Sequence, residues 1–313
     1  MAKTHYQLII LGGGPAGLTA GLYAARARLD HLLIEKGATG GQVLNTHWID
    51  NYPGFPEGIS GFDLMEKMAA QAKRFEMNSI MNDAVKVELP EKAAKIIHLD
   101  DGSRLTCDSL IICTGAHANN AGVPGEDRFL GKGVSYCGTC DGPFFRNLDV
   151  AVIGGGNTAV QEAEYLTKFA RKVILIHRRD SLRAAKVVQE KALANPNIEF
   201  IWNSRVTAIC GDKEVEAVEV TATDGQVSRR PVQGVFVFIG ITPNNAGLPL
   251  DRLRADVGGF IPVDTECRTC VPGVMAAGDI CAKKVRQIVN ACGEGAVAVL
   301  SAESYLATLE HTS

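Results

Sequence analysis

No apolar run in these 313 residues approaches the ~20 that would span a bilayer. The opening MAKTHYQLIILGGG is too short in its apolar part for a secretory h-region and has no cleavage site of small residues. Neither sign of charge dominates. A formal net charge of -3 provides no basic footprint for nucleic acid and no acidic tail. No histidine neighbours the CGTC stretch. What is there is ordinary for a soluble globular chain of about two domains: 46% hydrophobic and 21% charged residues. Nine cysteines cannot all pair within one chain. Without an export signal the expectation is a cytoplasmic protein with mostly reduced thiols, where a C-x-x-C is catalytic or metal-binding more often than a static staple.

The chain contains one plan twice. YQLIILGGGPAGLTAGLYAARARLDHLLIEK (6–36) and LDVAVIGGGNTAVQEAEYLTKFARKVILIHRR (148–179) each read as an apolar strand, a glycine turn, an Ala-rich helix and a second apolar strand. That is a βαβ unit with the dinucleotide fingerprint. Gly12, Gly14 and Gly17 form one set, and Gly154, Gly156 and Ala159 the other. In each, the first glycine permits the tight turn, the second lets backbone N–H groups approach a pyrophosphate, and the small third residue lets helix pack on strand. Further strand-like runs surround Asp101-Gly102 and Asp224-Gly225. A final run through Gly278-Asp279 has no fingerprint of its own and is expected to return to the first sheet. The fold class predicted is therefore α/β, with two Rossmann-like, three-layer ββα dinucleotide-binding domains, the second inserted into the first. The expected division is 1–117 with 246–313 for one domain and 118–245 for the other. The polar links AHANNAG (116–122) and TPNNAG (242–247) carry the crossings.

One position separates the two dinucleotides. Glu35 lies 23 positions after Gly12, and His177 lies 23 positions after Gly154. A carboxylate at that place accepts from an adenosine ribose 2′-OH, as FAD or NAD requires. The second unit has His177, Arg178 and Arg179 there, with Arg183 one turn later; guanidinium groups grip a 2′-phosphate, so this site should prefer NADPH. FAD belongs in the first site, where GATGGQ (37–42) and Gly278-Asp279 offer a longer ligand more contacts.

Cys137 and Cys140 lie just before the second fingerprint strand. With a hydride donor and a flavin in the same chain, a C-x-x-C completes a route from NADPH to FAD to a disulfide to an outside disulfide. Asp141 beside Cys140 is an acid/base candidate, and Asp141-Gly142 is equally a turn pair. Zinc is the alternative. Cys267-x-x-Cys270 would complete four thiolates, but it lies 127 positions after Cys140, far from ribbon spacing. Those two are expected to be an adventitious surface pair. Cys113, Cys281 and Cys292 are expected to be small buried residues.

GGGPAG, GGQ, NYPG, CGTCDG, GGGNTA, HRRDSLRA, AAGD and RQ together resemble the low-molecular-weight, bacterial-type thioredoxin reductases over almost the whole chain. The resemblance implies a homodimeric flavoprotein that binds FAD and NADPH and reduces thioredoxin. FAD contacts are implied at Gly12, Gly14, Pro15, Ala16 and Gly17, at Glu35, Lys36, Gly40, Gly41 and Gln42, at Gly115, at Gly278 and Asp279, and at Arg286 and Gln287. NADPH contacts are implied at Gly154, Gly156, Asn157, Thr158 and Ala159, and at His177, Arg178, Arg179 and Arg183. Cys137 and Cys140 would be the redox pair, with Cys140 facing the flavin and Asp141 as proton donor. Nicotinamide and disulfide ride on one inserted domain and must both meet one flavin, so a rotation about 116–122 and 242–247 is expected. The rivals are a reductase of another thioredoxin-like carrier or peroxidase system, and a non-catalytic redox sensor.

Overall fold

The computed structural model describes residues 3–46, 48–91 and 93–310, so residues 1–2, 47, 92 and 311–313 of the expected first domain lie outside it. The chain divides into two compact units: unit 1 is Met1–His117 with Thr242–Ser313, and unit 2 is Ala118–Ile241.

In chain order the first segment of unit 1 carries β1 (His5–Leu11), α1 (Pro15–Arg26), β2 (His31–Glu35), α2 (Gly61–Arg74), β3 (Ser79–Met81), β4 (Ala84–Glu88), β5 (Lys95–Leu99) and β6 (Arg104–Ile112). A crossing strand, β7 (Ala116–Ala118), leads to unit 2: β8 (Val134–Ser135), α3 (Gly138–Asp141), β9 (Asp149–Gly154), α4 (Asn157–Leu166), β10 (Lys172–Ile176), α5 (Lys186–Ala194), β11 (Ile198–Ile201), β12 (Ser204–Cys210), β13 (Ala217–Ala222), β14 (Val227–Pro231) and β15 (Gly234–Phe238). The second crossing strand, β16 (Ile241–Pro243), pairs with β7. Unit 1 resumes with α6 (Leu250–Leu253), β17 (Val274–Ala276) and α7 (Ile288–Glu310).

Strands of a sheet covered on both faces read as unbroken apolar runs, and each alternate residue enters a different core. In β1, Leu8 and Ile10 join Ala16, Ala20 and Ala24 of α1 and Ala298 and Ala302 of α7. Ile9 and Leu11 face the other way, onto Val87, Ile97, Leu99 and Leu105 of the antiparallel layer. β6 belongs to both layers. It runs antiparallel to β5 through Arg104–Cys107, parallel to β1 from Thr106 to Ile112, and parallel to β17 at Leu110–Ile112. The last segment therefore completes the first sheet.

Unit 2 repeats the design. Its parallel sheet has the order β11-β10-β9-β15-β8. Val150 and Val152 pack under α4, whereas Ala151, Ile174 and Ile176 meet Val206, Val218 and Val220 of the β12-β13-β14 layer. Each unit is thus three layers, ββα, with one core on each face of its parallel sheet, and unit 1 adds a third around Leu18, Val43, Leu64 and Met65. Helix starts follow local chemistry. Pro15 stands in the first turn of α1, and Ser60 caps α2 by accepting from Asp63 N–H at 3.0 Å.

Candidate active site

In unit 1 the loop after β1 is shaped by contacts that only glycine permits. Gly12 has φ +99, and a Cβ on it would lie 2.4 Å from Cys113 O. A Cβ on Gly17 would lie 1.8 Å from Gly12 O, so α1 sits directly on the turn. Glu35, at the end of β2, accepts from Gly13 N–H at 2.6 Å and from Gly37 N–H at 3.1 Å. Its carboxylate therefore braces the glycine loop in addition to any ribose it meets. Gly40 N–H donates to Gly13 O at 2.8 Å, and Gly41 backs onto Gly14. Lys36 and Gln42 are exposed on this rim.

The other side of the same cradle comes from the end of the chain. A Cβ on Gly278 would meet Ala16 Cβ at 3.0 Å. Gly278 N–H donates to Glu294 Oε2 at 2.8 Å, and Lys283 Nζ donates to the same oxygen at 2.6 Å. Burial pushes the Asp279 carboxyl above its usual range, against the pull of Lys283 and Arg286. Arg286 donates to Lys283 O at 2.8 Å and stacks over Phe260 at 4.5 Å. Asn51 Nδ2 donates to Gln287 Oε1 at 3.0 Å, at the start of α7. Gly115, φ +71, ends the β6 side.

These residues fit a dinucleotide with a flavin. At the N-terminus of α1, Gly14 packs against Gly41 with no side chain between them, which leaves the first-turn amides room to meet an anion. Two buried polar atoms of this unit face no protein partner: Thr114 Oγ1, just past β6, and Arg286 Nε, just before α7. Glu294 and Lys283 went unnoticed in the sequence because their use depends on a return from α7 to Gly278, not on any local motif.

In unit 2, Gly154 ends β9 and Gly156 caps α4 with nothing within 4 Å of its open face. A Cβ on Gly155 would lie 2.2 Å from the His177 ring. His177 is buried and its Nε2 has no protein partner, so the imidazole packs under the loop. Burial, then the charges of Arg183 and Arg179, push its pKa down. Arg183 N–H donates to Gly155 O at 2.8 Å, which pins the HRRDSLRA segment across the fingerprint loop. Asn157 Oδ1 accepts from Ala185 N–H at 2.7 Å. Arg178, Arg179 and Arg183 are exposed, and among the described residues none has an ion pair with a carboxylate. Three guanidinium groups on one rim with no internal anion suit a phosphate. Thr158 is exposed on α4, and Ala159 is buried against Gly154.

Cys137 and Cys140 are joined in a disulfide, with Cα atoms 5.3 Å apart. Cys137 is the cap of α3; its Sγ accepts from Cys140 N–H at 3.2 Å. Ser135 Oγ accepts from Cys137 N–H at 3.0 Å, and Asp141 N–H donates to Cys137 O at 3.1 Å. Asp141 thus takes part in the turn through its backbone, directly after Cys140.

Two carboxylates nearby went unread in the sequence. Glu126, only 3% exposed, accepts from Ala121 and Gly122 N–H at 2.8 and 2.7 Å, and from Tyr136 O–H at 2.8 Å. Glu162 of α4 lies against Gly138. Neither has a spacing signature.

Residues 6–295 match the pyridine nucleotide-disulphide oxidoreductase family. The chain belongs to that family. The oxidoreductase is 45% identical over 308 residues to a thioredoxin reductase of Listeria innocua, covering 97% of this chain and 95% of the relative. It is likewise 45% identical over 308 residues to a thioredoxin reductase of Peptoclostridium acidaminophilum, covering 96% and 97%. Its fold superposes with a TM-score of 0.93 on the crystal structure of thioredoxin reductase from Streptococcus pyogenes, at 42% identity, over 98% of this chain and all of that one.

The remaining thiols of the oxidoreductase divide by burial. Cys113 and Cys281 are buried, and burial pushes both thiols up, Cys281 to about 12. Two expectations are corrected. Cys267 is buried rather than on the surface, because its carbonyl accepts from Ala276 N–H and draws it under β17, while Cys270 alone is exposed. Cys292 is only half-buried; Tyr52 O–H donates to its sulfur at 3.7 Å. Among the described residues no cluster of metal-ligating side chains occurs, and no helix is long and apolar enough to cross a membrane.

Proposed function

We propose that the chain is an NADPH-dependent thioredoxin-disulfide reductase with FAD in unit 1 and NADPH in unit 2. The observation that carries the reading is the Cys137–Cys140 disulfide, placed in the unit whose fingerprint rim holds Arg178, Arg179 and Arg183. When bound, FAD takes a hydride from NADPH and delivers two electrons to a disulfide. The residues do the rest. The α1 N-terminus and the Gly40-Gly41 turn would hold pyrophosphate, Glu35 would meet the adenosine ribose, Asp279 would hold a hydroxyl, and Arg286 and Gln287 would contact the flavin end. Arg178, Arg179 and Arg183 select the 2′-phosphate. Cys140 would be the sulfur presented to the flavin, and Asp141 would supply the proton that a leaving thiolate takes. One thiolate then attacks the disulfide of thioredoxin, and the second releases the mixed disulfide.

Unit 2 carries both its dinucleotide and its disulfide to one flavin, so we infer a rotation of unit 2 about the crossings 116–122 and 242–247 between half-reactions. Free thiols and a need for NADPH suit a reducing, cytoplasmic compartment. Two copies are expected to form a homodimer, readable by light scattering.

The test is anaerobic NADPH titration of the yellow protein. The parent is expected to bleach and to reduce added thioredoxin. Cys137→Ser and Cys140→Ser are expected to bleach but to transfer nothing. A double serine variant that still reduces thioredoxin overturns the reading. Turnover with a different carrier and none with thioredoxin favours the alternative substrate.

A further inference from the structure

The redox turn rests on a carboxyl that the proposed mechanism leaves unused. A Cβ on Gly138, the residue between Cys137 and Thr139, would lie 2.1 Å from Glu162 Oε2 and 3.3 Å from its carboxyl carbon. The side chain of Glu162 therefore occupies the space under the first turn of α3. Its Oε2 is buried and makes no well-aligned hydrogen bond; among the described residues the Gly138 N–H is the one donor that acts on the carboxyl. An ionised carboxylate oxygen left unpaired costs free energy, and a native protein that keeps one has a use for it. Burial pushes this carboxyl up, and the Gly138 N–H opposes the shift.

The elements packed on α4 offer no compensating cation at this point. From α3 the neighbours are Cys137, Cys140 and Asp141. From α5 they are Lys186, Glu190 and Lys191, and from β9 and β10 they are Asp149 and Lys172, which are held by Arg171 and Glu199. None of these charges contributes to the Glu162 shift. The carboxyl is thus set against the redox turn alone.

Resting on the thioredoxin-reductase reading, we propose that Glu162 is a positioning residue for the redox pair, whose charge keeps the reduced cysteines as thiols. Reduction breaks the Cys137–Cys140 bond, puts two electrons supplied by NADPH on the sulfurs, and takes up two protons if both end as thiols or one if a thiolate remains. An anion beneath the turn opposes a thiolate above it, and by reciprocity the thiolate opposes ionisation of Glu162. The reduced pair is thereby held protonated to higher pH. That makes it a stronger reductant in alkaline solution than a pair with no such neighbour. α4 also starts at the dinucleotide loop, so one helix supports both sites of unit 2.

The experiment equilibrates the holoenzyme with dithiothreitol redox buffers from pH 6 to 9.5 and scores Cys137 and Cys140 by alkylation and mass spectrometry. The potential falls with pH, and the slope halves where one thiol stays ionised. In Glu162→Gln this break is expected about one pH unit lower than in the parent. At pH above both breaks the variant's potential is then about 30 mV less negative, the equivalent of a tenfold change for two electrons. Glu164→Gln, the same charge loss on the same helix, is expected to leave the break in place. If Glu162→Gln does not fold, Glu162→Asp, which withdraws the charge by one methylene, is expected to shift the break the same way by less.

An unmoved break, or an equal shift in Glu164→Gln, overturns the inference. A parent that reduces thioredoxin while these variants show no difference defeats the inference alone. A parent that reduces none defeats the reading beneath it.

Discussion

Removing Glu126 tests how the redox turn is held. The carboxylate is 3% exposed and accepts from the amides of Ala121, Gly122 and, at 3.4 Å, Val123, and from Tyr136 O–H. It joins the segment that leaves the first crossing to the residue before Cys137. Glu126→Ala strands two well-aligned amides and takes from the phenol its shorter, charged acceptor, leaving Asn120 Oδ1 at 3.3 Å. At about 1–3 kcal/mol for each orphaned buried group, with water reaching part of the cavity, unit 2 should lose about 3–5 kcal/mol. Tyr136→Phe deletes one bond to a charged acceptor and should cost about 1.5 kcal/mol. The double variant should show about 1–2 kcal/mol of coupling, because without the carboxylate the phenol loses its charged acceptor and keeps only Asn120 Oδ1 at 3.3 Å. The chain has two tryptophans, Trp48 in unit 1 and Trp202 in unit 2. In a Trp48→Phe background, urea unfolding followed by fluorescence therefore reports unit 2 through Trp202, which stacks on Phe200 at 5.1 Å. That isolation matters, since two units need not unfold in one step. A loss below about 1 kcal/mol in Glu126→Ala, or additive single effects, refutes the account.

Three further outcomes are expected. Arg178→Ala and Arg183→Ala should each raise KM for NADPH about tenfold or more, the value of one charge-assisted hydrogen bond, and leave KM for NADH unchanged in steady-state assays; parallel changes for both coenzymes would contradict the phosphate assignment. Gly17→Ala puts a methyl 1.8 Å from Gly12 O, a backbone atom that cannot step aside, so the purified protein should carry little flavin at its visible absorbance band; full yellow colour would contradict it. His177 has a depressed pKa in the fold, so the unfolded chain binds the proton first as pH falls below the usual 6.5; the stability of unit 2 should drop from pH 7.5 to pH 5. His177→Asn should flatten that slope, as read by the same Trp202 transitions, and an unchanged slope would place the titrating group elsewhere.

The fold class was legible because each of its parts has a local cause. β1 and β9 announce themselves as apolar runs bounded by glycine, and the small residues of α1 and α4 announce close packing. The glycine loops and the C-x-x-C are equally local, since their spacing along the chain is itself the chemistry. The surface reading of Cys267 failed for the opposite reason. A C-x-x-C three residues ahead of a strand says nothing about which of its members is drawn beneath that strand.

The sequence by itself thus determined the two Rossmann-like units, the C-x-x-C within one of them, and the basic rim that follows the second fingerprint. Only the tertiary structure decided which carboxylates stand behind them: Glu294 on Gly278, Glu126 on Tyr136 and Glu162 on Gly138. Strand and helix periods and motif spacings are set by covalent neighbours and can be read along the chain. The pairing of a buried charge with a distant amide or phenol depends on where two segments meet after both cores have closed, and a lone glutamate in a helix carries no mark of that meeting.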